Sequence, residues 1–281
     1  MDDFDRLAAD TASSATTLLS SVATLLAEAR ARGGRARRLA AVRACRAQPS
    51  MGAVWNLAAA ALDDSDLFDR LAQRAGRSAA AAARHAAPLL RDDTRRVITC
   101  SRSAAVEACI RALARPAVCA ESRPALEGRA LAESLARDGL AVTVVADAAI
   151  ASNLSPGDVV LVGADAIAAG WFINKTGTGQ LCAAALLAGV PAYVVSGREK
   201  CVCEPVATAL SLRRDAPASL WPAPPPGVTV ENVLFERVPL DRVAGAITDA
   251  GLLAGDMIAA ACEAAVPAPA ARALLDLLKE E

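Results

Sequence analysis

Residues 163–181 read "GADAIAAGWFINKTGTGQL". An apolar run, "DVVLVG" (158–163), leads into the stretch, and "CAAALLAGVPAYVV" (182–195) leaves it. The first run is short and rich in valine, as a buried strand is. The second has the length of a helix followed by another β-branched strand. Strand, polar link, helix and strand form one βαβ unit, so the stretch is expected to be a loop at a strand's carboxyl end. It holds an acid, Asp165, an amide–lysine pair, Asn174 and Lys175, and several glycines. The chain has only three lysines, Lys175, Lys200 and Lys279, beside many arginines. Where Arg replaces Lys elsewhere, a retained Lys reads either as a need for a compact point charge or as one left by chance.

The same texture extends in both directions. β-branched runs occur at "RVITC" (96–100), "AVCA" (117–120), "AVTVVA" (141–146), "AYVV" (192–195) and "VTVENVLFE" (228–236). Helical segments alternate with them: "SAAVEACIRALA", "LEGRALAESLARDG", "DAAIASN" and "TGQLCAAALLAG". This alternation predicts an α/β fold with a mainly parallel, doubly wound, Rossmann-like sheet over residues 94–281. Residues 1–93 read as an N-terminal helical domain. There, Leu18, Leu19, Val22, Leu25 and Leu26 share a helical face, Gly33-Gly34 ends one helix, Pro49 ends the next, and Asp64 or Ser65 caps the last. "PAPPPG" (222–227) reads as a rigid connector, and a helix over about 269–281 is expected to close the chain.

Composition narrows the classes of function. The 281 residues are 54% apolar with a net charge of -1, which predicts a sizeable core and argues against nucleic-acid or anionic-membrane partners. The acidic N-terminus lacks an apolar signal core, and no run is long enough for a membrane span. A cytoplasmic protein is expected. The eight cysteines show no CxxC spacing and read as reduced core thiols, so neither a metal nor a cofactor is expected.

Ligands of doubly wound sheets bind beyond the strands' carboxyl ends. The polar signatures "TCSRS", "AESRP", "ADAAI", "GADAI" and "SGREK" all fall there. Ser101 and Ser103 stand where a helix begins, with free N–H groups suited to a phosphate or to simple capping. Arg123 reads either as a phosphate clamp or as half of a surface ion pair with Glu121. Asp165 reads as a general acid or base, or as a helix cap. "NKTGTGQ" offers another phosphate cradle, although it is not a Walker loop. Lys200 adds a further cation. Together these residues describe a site for a small phosphorylated molecule.

The segments "ITCSRSAAVEA", "ESRPALEGRALAESL", "VTVVADAAIA", "GADAIAAGWFINKTGTGQLCAAALLAGVPAYVV" and "VPLDRVAGAITDAGLL" resemble, in order and spacing, the translation initiation factor 2B alpha/beta/delta family. That family includes methylthioribose-1-phosphate isomerase and ribose-1,5-bisphosphate isomerase. The resemblance implies a helical domain before a Rossmann-like one, and a homodimer. It also implies an open-chain aldose phosphate converted to a ketose phosphate by a cysteine and an aspartate. Asp165 matches that aspartate. Asn174 and Lys175 match the substrate-binding pair, and Lys200 a further binding lysine. Ser103, Ala104 and Ala105 match a phosphate-gripping turn. Ser101 stands at the catalytic cysteine's place, with Cys100 one position earlier; a one-residue shift turns a side chain to the other face. "RGG" (32–34) is a loose counterpart of the isomerases' Arg-Gly-Ala motif. Two readings follow. One is an isomerase of a phosphorylated pentose, using Asp165 with Ser101 or water. The other is a non-catalytic regulatory protein that binds a sugar phosphate or nucleoside monophosphate.

Overall fold

Val97 and Ile98 are adjacent and both buried, yet they enter different cores, because successive strand residues face opposite ways. This alternation builds the sheet in the computed structural model, which describes residues 2–10, 13–63, 65–90 and 92–280. The strands are β1 (Arg96–Thr99), β2 (Ala117–Ala120), β3 (Val142–Val145), β4 (Asp158–Val162), β5 (Ala166–Ile167), β6 (Trp171–Lys175), β7 (Ala192–Val195), β8 (Phe235–Pro239), β9 (Gly245–Thr248) and β10 (Gly251–Leu253). Among the described residues, one seven-stranded sheet has the order β10-β9-β7-β4-β1-β2-β3. All its pairings are parallel except β9 with β10. The chain starts at β1, runs outward to β3, then returns to β4 on the other side. The direction of winding therefore reverses between β1 and β4, where doubly wound sheets open a crevice.

The helices are α1 (Asp3–Ala9), α2 (Ala15–Ala31), α3 (Gly34–Ala47), α4 (Gly52–Ala61), α5 (Leu67–Leu90), α6 (Ala104–Leu113), α7 (Glu127–Arg137), α8 (Thr178–Leu187), α9 (Glu204–Ala209), α10 (Pro217–Leu220), α11 (Asp256–Glu263) and α12 (Ala268–Glu280). One sheet face is covered by α6, α7 and the end of α5, through Ala82, Ala86, Ile110, Leu131 and Leu135. The other is covered by α8 and α11, through Leu181, Ala185, Ile258 and Cys262. Helices α2, α3 and α4 form a separate apolar layer, which α9 and α12 join through Val206, Ala271 and Leu274. The helical layer therefore recruits the chain's last helix, while part of α5 serves the sheet; sequence order alone does not partition the two layers.

Every residue of α4 is buried, so its backbone lies against the strand tips. A Cβ on Gly52 would come within 2.8 Å of both the Lys200 carbonyl oxygen and Val202. The Gly52 N–H donates to the Asp165 carbonyl at 2.8 Å, and Asn56 Nδ2 donates to the carbonyls of Glu199 and Cys201. These bonds fix the helical layer over the crevice.

Three expectations are corrected. Residues 171–175 are the strand β6 rather than a loop; β6 pairs antiparallel with β5 and β8 in a small second sheet. The expected strand at 228–236 begins only at Phe235, because Val228 finds no core and stays 44% exposed. "DAAIASN" forms two short 3-10 turns rather than a helix, since Asp147 turns its carboxylate onto the amides of Ser122 and Arg123. The proposed cap Asp64 lies outside the described residues. All eight cysteines are buried and unpaired.

Candidate active site

Ser101 follows β1 with a φ of 62°, a left-handed conformation that side chains rarely adopt. Two bonds hold it there. Its N–H donates to Ser122 Oγ at 2.7 Å, and its Oγ donates to Glu127 Oε1 at 3.0 Å. The chain then enters α6 with Ser103 as N-cap, whose Oγ accepts from the Val106 N–H. The N–H groups of Ala104 and Ala105 have no hydrogen-bond partner among the described residues.

Across the crevice, β4 ends at Gly163-Ala164-Asp165. The Asp165 backbone is pinned at both ends, with its N–H donating to Ile173 O at 2.7 Å and its carbonyl accepting from Gly52. Burial raises the pKa of its carboxyl, the positive charges of Lys200 and Lys175 oppose that rise, and Glu127 adds to it. Lys200 Nζ donates to the Ala164 carbonyl at 2.6 Å. Lys175 Nζ pairs with Glu127 Oε1 at 2.7 Å, so one carboxylate oxygen serves both Ser101 and Lys175.

The period-2 geometry of β6 separates the amide–lysine pair. Asn174 lines a cavity of 920 Å³ under α2 and α5, together with Ser103, Ala104, Ala105 and Lys200. Lys175 lines a second cavity of 480 Å³, together with Glu127 and Arg213. Ser101, Arg102 and Asp165 border both cavities. Cys100 points away: its thiol meets Thr178 Oγ1 at 3.3 Å, and burial pushes its pKa up to about 11. It therefore does not stand in for a catalytic thiol.

Several sequence readings meet a different geometry. Arg123 is exposed and borders neither cavity; Glu121 pairs with Arg129 instead. The cradle at α8 is filled from within, since Glu236 Oε1 accepts from the N–H groups of Gly177 and Gly179 at 2.7 and 3.0 Å. "RGG" (32–34) lies at an exposed junction between α2 and α3. Two bordering residues were not singled out from sequence. Glu127 opens α7, where an acid reads as ordinary helix-dipole compensation. Arg102 sits between two serines. Its Nε donates to Glu107 at 3.1 Å, and the rest of its guanidinium has no described partner. Among the described residues no group of His, Cys, Asp or Glu is arranged to hold a metal, and no single helix is long and apolar enough to cross a membrane.

A helical layer over the switch point of a doubly wound sheet, with an acid in the field of two lysines, defines an α/β protein with a cleft at that point. Residues 12–255 match the sequence model of the Initiation factor 2 subunit family, and the chain belongs to that family. The methylthioribose-1-phosphate isomerase of Syntrophobacter fumaroxidans is 34% identical over 143 residues, 47% of this chain and 41% of that protein. The ribose 1,5-bisphosphate isomerase of Archaeoglobus fulgidus is 33% identical over 147 residues, 50% of this chain and 46% of that protein. The match thus spans less than half the length of each of these relatives. Among solved structures, translation initiation factor eIF-2B of Pyrococcus horikoshii superposes with a TM-score of 0.75 at 25% identity, covering 89% of this chain and 94% of that one. The fold is also that of the 5-methylthioribose 1-phosphate isomerase of the same organism, with a TM-score of 0.54 at 19% identity over 94% of this chain and 88% of that one.

Proposed function

We propose that the chain is an aldose–ketose isomerase acting on a phosphorylated pentose of the ribose-1,5-bisphosphate or methylthioribose-1-phosphate type. The observation that carries this reading is the position of Asp165. Asp165 borders both cavities, as Ser101 does, and its carboxyl lies within the field of Lys200 and Lys175. The raised pKa suits a group that gives a proton to the sugar's ring oxygen and takes one from the C2 hydroxyl. The free amides of Ala104 and Ala105, with Ser103, would receive a phosphate. Lys200 and Asn174 would orient the sugar from the opposite wall, and Lys175 would hold its charge at the second cavity. The chain is expected to work as a homodimer in the cytoplasm, without metal or cofactor.

One observation favours a second reading. A serine hydroxyl stands where the family isomerases carry a thiol, and serine is by itself far harder to ionise. A non-catalytic regulatory protein would keep the same pocket for a sugar phosphate or a nucleoside monophosphate. The deciding experiment is to incubate the protein with ribose-1,5-bisphosphate or methylthioribose-1-phosphate and follow ketose formation by carbon-13 NMR. Turnover supports the isomerase. Absence of turnover, with thermal stabilisation by the same compound, leaves the binder.

A further inference from the structure

We infer that Glu127 completes the proton-transfer machinery by acting through Ser101, so that a serine–carboxylate pair takes the place of a thiol. This inference rests on the isomerase reading above.

Three observations carry it. The Ser101 hydroxyl has one described partner, and that partner is a carboxylate oxygen 3.0 Å away. Ser101, which borders both cavities, is held in a strained backbone conformation, the kind of strain that persists where surrounding structure enforces it. Glu127 Oε1 also accepts from Lys175 at 2.7 Å, while Oε2 is buried with no hydrogen-bond partner among the described residues. A merely structural ion pair would be expected to satisfy both oxygens. The open oxygen leaves the group room to take up a proton.

The step balances as follows. Protonated Asp165 gives its proton to the ring oxygen as the C1–O4 bond breaks. The C2–H bond breaks with it: its proton passes to Ser101 Oγ as the serine's own proton passes to Glu127, and its electron pair forms the C1=C2 bond of an enol phosphate whose C1 oxygen keeps its phosphoryl group. The C2 hydroxyl proton then returns to Asp165. The proton on Glu127 travels back through Ser101 to C1, forming the new C1–H bond. The ketose leaves, and each protein group is as it began. Ser101 touches the substrate; Glu127 is a positioning residue that holds the proton. Lys175 fixes the Glu127 carboxylate and compensates its charge between turnovers.

The test is a cycle of variants assayed with ribose-1,5-bisphosphate. Glu127→Gln keeps an acceptor for Ser101 and Lys175 but cannot hold the proton. It should lower kcat by about 100-fold or more while KM stays within about threefold, in the range typical of lost acid–base catalysis. Ser101→Ala leaves the Glu127–Lys175 pair intact; it should cost about as much, and the double variant little more. Ser101→Cys introduces a thiol of pKa ~8.5 that can act alone, so adding Glu127→Gln there should cost less than about fivefold. Equal losses from Glu127→Gln in the serine and cysteine backgrounds would overturn the relay and assign Glu127 to anchoring Lys175. Turnover by Ser101→Cys but not by the natural chain would overturn the relay and leave the isomerase pocket standing. No turnover in either background would remove the isomerase reading, and the relay with it.

Discussion

Gly163 and Ser103 approach so closely that a Cβ on the glycine would lie 2.7 Å from the serine Cβ and 2.9 Å from its Oγ. The carboxyl end of β4 and the start of α6 therefore close on each other, and only glycine permits it. Gly163→Ala should push the α6 turn out of place at a cost of about 1–3 kcal/mol, as overpacking does. Urea denaturation would measure the loss. The variant should also no longer be stabilised by a phosphorylated ligand; retained stabilisation would separate this turn from the binding site.

Lys175→Ala removes the partner of Glu127 and one of the charges opposing the rise at Asp165. Affinity for a sugar phosphate should fall by about 1.5–3 kcal/mol, the usual worth of a hydrogen bond to a charged group. Titration calorimetry reads this directly, and an unchanged affinity would place the ligand elsewhere.

Arg102 and Arg123 offer an internal contrast. Arg102 borders both cavities, while Arg123 borders neither. Arg102→Ala should weaken phosphate-ligand binding by about tenfold, or ~1.4 kcal/mol, and Arg123→Ala should change it by less than about twofold. A larger effect at Arg123 would mean that its loop swings inward on binding.

Glu199 links α5 to the strand tips through a 2.9 Å bond from Ser78, and it is only 4% exposed. Burial is the main cause of its raised pKa, against the lowering effect of Lys200. Its favourable contribution to stability is full below the unfolded-state value of about 4.3 and is lost as pH rises through the raised folded value. Glu199→Gln should therefore gain in Tm relative to the natural chain as pH rises above about 4.3. Glu107 and Asp249 act with the opposite sign. Burial works against both carboxylates, but a Ser134 hydrogen bond and Arg102 hold Glu107 low, Arg198 holds Asp249 low, and that stability is lost in acid. The comparison between variant and natural chain at each pH removes these shared terms. Parallel melting curves for the two proteins would contradict the assignment.

Part of the candidate site's local geometry was legible from neighbouring residues. Ser103 caps α6 as its place between strand and helix implies, and Asp165 follows the apolar run of β4. Glu236 was hidden for a contrary reason. It reaches the amides of Gly177 and Gly179 from 57 to 59 residues away, along a strand whose pairing with β6 no local pattern announces. Arg123 lies outside both cavities because a strand's end specifies a rim of the sheet, not which side chains turn inward from it.

From sequence alone came the parallel order of alternating strands and helices, the carboxyl-end position of the polar segments and the burial of the cysteines. These follow from residue periodicity and hydrophobicity, which act over a few neighbours. Tertiary structure alone decided that Asn174 and Lys175 enter different cavities, that α12 joins the helical layer, and that Ser101 meets Glu127. Those outcomes depend on strand pairing and close packing between distant segments, where a shift of one residue reverses the face a side chain presents.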